Sequence, residues 1–86
     1  MTEPPRNTKS PSPHGDITGS DFLFHLYRGA ELLQENLVHE AKAEIENALS
    51  LQPLEPQGQD LLAQVYFRLG LYPRAIAIYE QLASNF

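Results

Sequence analysis

The sequence predicts an all-α chain folded as two tandem antiparallel helix-turn-helix hairpins, four helices in all. Three observations support that expectation. Apolar residues recur at three- and four-residue spacing in successive segments. Proline, glycine and asparagine fall between those segments or at their ends. The second pair of segments also follows the first at a constant offset of 34 residues, as Ala41 to Ala75 shows.

Residues 1–19, MTEPPRNTKSPSPHGDITG, hold four of the seven prolines and one branched apolar residue, Ile17. Proline blocks helix propagation, and so few apolar groups cannot offset the entropy of ordering. This stretch is expected to be a flexible Pro/Ser-rich tail. Ser10-Pro11 and Ser12-Pro13 are dipeptides of the kind found in phosphorylation and proline-recognition sites. They are also ordinary content of a solvated leader, and are read as that.

From residue 20 to 86 the texture is that of a folded domain. Ser20 or Asp21 is suited to cap a helix through DFLFHLYRGAELLQE. Asn36 is suited to stop it in the left-handed conformation. A second helix, about 38–51, carries Ala41, Ile45, Ala48 and Leu49 on its apolar side. Pro53 and Pro56 bracket a turn, with Pro56 in the first turn of the third helix. That helix, about 57–69, gathers Leu61, Leu62, Val65, Tyr66 and Leu69, and Gly70 ends it. Pro73 opens the fourth, about 72–84, whose apolar set is Ala75, Ile76, Ile78, Tyr79 and Leu82. Short turns make successive helices antiparallel.

The chemistry excludes several functions. The net charge is −5, and the deficit lies in the helical part, where nine acids face Arg28, Lys42, Arg68 and Arg74. Such a surface repels phosphate backbones and anionic lipid, so neither nucleic acid nor a membrane is expected as a partner. A cytoplasmic location is expected, since the first residues lack the apolar stretch of a signal peptide. With no cysteine, a disulfide framework and a thiolate metal site are both ruled out. His14, His25 and His39 lack companions at metal-ligand spacing, and no metal or cofactor is expected. His25 reads as a packed or half-exposed side chain, with no carboxylate placed by sequence to orient it. Glu31, Glu35, Glu40, Glu44 and Glu46 read as a solvated outer face rather than paired catalytic carboxylates. Gly29, Gly58 and Gly70 form no phosphate loop. The chain is therefore not expected to be an enzyme.

The repeat is closer than shared periodicity. Leu37/Leu71, Ala41/Ala75, Glu46/Glu80 and Ser50/Ser84 are identical across the offset. Small residues alternate with large ones, as they do where helices approach closely. The first copy, 22–55, reads His25-x2-Arg28-Gly29-x2-Leu32, then Ala41-x3-Ile45-x2-Ala48, ending at Pro53. The second, 56–86, reads Gln59-x2-Leu62-Ala63-x2-Tyr66, then Gly70, Ala75-x3-Tyr79 and Leu82. This resembles the tetratricopeptide repeat family, whose unit runs Trp-x2-Leu-Gly-x2-Tyr, Ala-x3-Phe, Pro. The chain departs from it at His25 and Arg28, where the family has Trp and Leu.

The resemblance implies a right-handed superhelical stack and a scaffold or adaptor that binds a peptide or partner helix on its concave surface. In the family, the positions of Leu23, Leu26, Ala30 and Leu33 line that surface. Their apolar character implies either a rotated first helix or an apolar concave face. The matching positions of the third helix are Gln57, Asp60, Gln64 and Phe67. The residues expected to contact a partner are Leu23, Leu26, Ala30, Leu33, Gln34, Gln64, Phe67 and Arg68. Leu26 and Ala30 stand where family members that clamp a C-terminal carboxylate need lysine and asparagine, which disfavours that role. Two other readings compete: self-association through the Leu23/Leu26/Leu33 stripe or the last helix, and a regulatory N-terminal fragment of a larger protein.

Overall fold

The computed structural model describes residues 18–85, with side chains from Asp21 onward. The described chain is all-α: α1 (Thr18–Gln34), α2 (Val38–Leu51), α3 (Pro56–Arg68) and α4 (Tyr72–Asn85). The expected tail lies outside the described residues except for Thr18 and Gly19. Those two form the start of α1, ahead of the expected cap at Ser20 or Asp21. Helix ends are where sequence fixes structure least.

The turn chemistry works as its residues require. Asn36 sits at φ 63° and Gly70 at φ 79°, both in the left-handed region. Each closes the same helix-ending motif. Asn36 N donates to Leu33 O and Leu37 N to Leu32 O, at 3.0 and 2.9 Å. Gly70 N donates to Phe67 O and Leu71 N to Tyr66 O, at 3.0 and 2.8 Å. These paired bonds satisfy carbonyls that a helix end leaves without partners. Between the hairpins, Pro56 begins α3 and the Glu55 side chain accepts from Gln57 N at 2.8 Å. Proline costs nothing there, because a first-turn amide has no intrahelical acceptor.

Each helix packs on its sequence neighbour, with a smaller contact between α1 and α3. Within the first hairpin the approach is close enough to require glycine. A Cβ at Gly29 would lie 2.6 Å from Ile45 Cγ1 and 3.4 Å from Ala41 O. Ala41, Ala48, Ala63 and Ala75 are all buried, so small residues do mark the helix–helix contacts. The main core joins Leu32, Leu33, Ala41, Ile45 and Val65, flanked by Leu49, Leu61, Leu62 and Leu69. A second cluster of Phe22, Leu26 and Ala48 meets it through Leu61. The apolar set of α4 divides. Ala75 is buried, Ile78 and Leu82 are half-buried, and Ile76 and Tyr79 are exposed.

Candidate interaction groove

The arrangement of α1 beside α3 corrects the apolar stripe. Leu26 and Leu33 are each only 2% exposed and belong to the core. They do not form the open apolar face expected from the sequence, because they cluster with Leu61 and Val65 of α3. Gly29 of α1 meets Ile45 of α2. Only Leu23 of the three stripe leucines is exposed. The stripe Leu23/Leu26/Leu33 is therefore not available as a self-association surface.

What remains between α1 and α3 is a shallow groove with a recess of about 270 Å³, lined by Leu26, Tyr27, Ala30, Gln57, Asp60 and Leu61. Its floor is apolar, with Leu26 below and Leu61 half-buried beside it. Its rim combines the Tyr27 ring, 64% exposed, with the amide of Gln57 and the carboxylate of Asp60. Asp60 Oδ2 accepts from Gln64 Nε2 at 3.2 Å, which orients both side chains within α3. A larger but flatter depression of about 520 Å³ involves α1 alone, from Phe24 to Gln34, and so has no facing wall.

The other expected contact residues are scattered. Ala30 and Gln64 are half-buried at the groove, and Gln34 is exposed near the end of α1. Phe67 is 59% exposed but lies at the α3–α4 turn, edge-on to Tyr72 with ring centroids 5.2 Å apart. Arg68 is engaged within the chain, donating from Nη1 to Leu33 O at 2.7 Å. Tyr27 and Leu61 were missed as groove residues. The signal was present in the offset itself, since Tyr27 and Leu61 are equivalent positions one residue past the stripe.

His25 has a partner that spacing did not reveal. Its Nδ1 lies 2.7 Å from Glu44 Oε1 across the α1–α2 hairpin, with both side chains about a quarter exposed. In the second hairpin those positions are Gln59 and Ile78. They help to line a recess of about 290 Å³ with Leu54, Gln81, Leu82 and Asn85. The His25–Glu44 pair ties two helices together. Among the described residues, no group of three or more His, Cys, Asp or Glu could hold a metal ion. No described helix is long and apolar enough to cross a membrane.

Comparison with protein-family models, curated proteins and solved structures gives no match.

Proposed function

We propose that this chain is a non-catalytic interaction module of the tetratricopeptide-repeat type, acting in the cytoplasm as a scaffold or adaptor. Its ligand is an extended segment of another protein, laid along the α1–α3 groove. The observation behind this reading is the recess between two helices, with Leu26 and Leu61 beneath and Tyr27, Gln57 and Asp60 around it. An apolar floor with a few polar groups at its rim suits one apolar anchor and the main-chain amides beside it. Asp60, within an acidic chain, favours a neutral or basic segment over an acidic one.

A peptide-display selection on the whole chain tests the reading. Selected peptides should carry a single apolar anchor, and titrating them should perturb the NMR signals of Tyr27, Ala30, Gln57 and Asp60. Tyr27→Ala should abolish binding and leave the circular dichroism spectrum unchanged, because the ring is mostly exposed. Peptides that perturb only α4, or binding indifferent to Tyr27→Ala, would overturn the groove as the site.

A further inference from the structure

Four of the five large apolar side chains exposed on the second hairpin fall on one side, Leu71 ahead of α4 being the exception. Along α4, Tyr72, Ile76 and Tyr79 are exposed, and the exposed Ala83 continues the row. Steps of four, three and four residues keep them in line along a helix, the spacing of a helix–helix seam. Phe67 of α3 joins the row at its Tyr72 end.

The repeat identifies this face. Thirty-four residues before Tyr72, Ile76, Tyr79 and Ala83 stand Val38, Lys42, Ile45 and Leu49. Part of that row lies against the second hairpin, while Ile45 also meets Gly29 of α1 and Lys42 is paired with Glu46 at 2.8 Å. Val38 and Leu49 pack on the core shared by the two hairpins, and a Cβ at Gly58 of α3 would come within 2.7 Å of Leu49 Cδ2. Phe67 likewise stands where Leu33 is covered by the next hairpin. The outer side of α4 thus matches a surface that elsewhere in this chain receives a helix. Among the described residues none lies on it.

Head-to-tail stacking of copies would bring α1 onto α4, as α3 comes onto α2. The core-forming residues of α3 include Leu62, Val65 and Leu69. Their counterparts on α1 are Arg28, Glu31 and Glu35, all exposed, with Arg28 and Glu31 paired at 3.5 Å. Laying those charges on Ile76 and two tyrosines would strip their water without replacing it. An isologous contact avoids that cost. If two α4 helices run antiparallel about a two-fold axis, Ile76 meets Tyr79 of the second copy and Tyr72 meets Ala83. The small Ala83 leaves room for the bulky Tyr72–Phe67 edge. Glu80 is the one charged residue bordering the row, and it falls near Pro73 of the second copy rather than beside the other Glu80.

We propose that α4 is the contact surface of a two-fold symmetric homodimer, with Tyr72, Ile76, Tyr79 and Ala83 as its seam and Phe67 at the edge. The seam lies on α4 rather than in the α1–α3 groove, and the proposal does not depend on what the groove binds.

Sedimentation equilibrium of the whole chain, from micromolar to millimolar concentration, is the test. A reversible dimer is expected. Ile76→Glu should raise the dissociation constant by about tenfold or more, because it would bury an unpaired carboxylate in the seam. The single chain should keep its helicity, since Ile76 is 54% exposed there. The chain has no native cysteine, so single-cysteine variants report the register cleanly. Mixing Tyr72→Cys with Ala83→Cys should give a disulfide-linked heterodimer in excess of the Tyr72→Cys homodimer. A monomer at every concentration, a dimer indifferent to Ile76→Glu, or a predominant 72–72 linkage would each overturn the proposal.

Discussion

Arg68 donates from Nη1 to the main-chain oxygen of Leu33 at 2.7 Å, reaching from the last turn of α3 back to the C-terminal end of α1. The same nitrogen lies 3.5 Å from Asn36 Oδ1. Leu33 O also accepts the amide of Asn36, so the arginine binds at the closing motif of the helix. Carbonyls there form the negative end of the helix dipole, where a cation is favoured. The counterpart of Arg68 on α1 is Gln34, and the tie is specific to the boundary between hairpins.

Removing that tie should be felt in stability before it is felt in binding. A hydrogen bond to a charged group contributes about 1.5–3 kcal/mol, and exposure to solvent reduces this, so Arg68→Ala should cost about 1 kcal/mol. Urea unfolding should show a lower midpoint with an unchanged slope. An unchanged midpoint would mean that Arg68 is free to serve a partner.

The two helix-ending motifs make a second expectation. Gly70 sits at φ 79° with open space around its α-carbon, so only the backbone conformation opposes a side chain there. Gly70→Ala should cost about 1–2 kcal/mol in left-handed strain. Gly70→Asn should cost distinctly less, because Asn36 adopts the same conformation at the equivalent position. Thermal unfolding of both variants checks the order. Equal losses would show that the asparagine side chain gives no relief.

Local chemistry made much of the fold legible. Asn36, Pro56 and Gly70 each have a conformational reason to stand where helices start or stop, and they do so. The offset located the buried small residues Ala41, Ala63 and Ala75 because close packing selects for size. The groove was less legible. Leu26 and Leu33 read as a free stripe because periodicity reports that a face is apolar without naming what covers it. Their cover is α3, which belongs to the other hairpin. His25–Glu44 escaped for a similar reason, since a pairing across 19 residues depends on how two helices are rotated against each other.

That pair should couple weakly but measurably. Both side chains are partly buried, and Nδ1 lies within hydrogen-bond distance of the carboxylate. A double-mutant cycle with His25→Ala and Glu44→Ala should give an interaction of about 0.5–1 kcal/mol at neutral pH. Additive losses would reduce the contact to mere proximity.

Tyr79 gives the chain an alkaline sensitivity. Its phenol is held above the ordinary tyrosine range, first by burial and then by the negative charge of Asp60. Deprotonation is therefore harder in the folded chain than in the unfolded one. The associated stability is fully present below pH of about 10, the ordinary tyrosine value, and is lost as pH rises through the raised one. Tyr79→Phe should flatten this decline in a series of urea midpoints. It should also remove from the ultraviolet absorbance curve a phenolate that forms above the ordinary tyrosine range. A pH profile identical to that of the native chain would show that Tyr79 is not the group responsible.

The division of the leucine stripe leads to opposite outcomes for two chemically identical substitutions. Leu33 is 2% exposed and lies in the core with Ile45 and Val65, whereas Leu23 is 40% exposed. Placing aspartate at Leu33 would leave a carboxylate without water or a cation, and would delete apolar contacts made by both hairpins. Losses beyond about 4 kcal/mol are exceptional for single substitutions, but a buried unpaired charge is one of the few causes. Small domains hold only about 5–15 kcal/mol, so Leu33→Asp should unfold the chain or nearly do so. Leu23→Asp should stay within about 1 kcal/mol, because a substantial part of the side chain is already in water. Far-UV circular dichroism and thermal melts of the two variants, measured side by side, test the contrast. If Leu33→Asp retained full helicity and a cooperative melt, α3 would not be covering Leu33. The stripe would then stand again as an open, partner-facing surface.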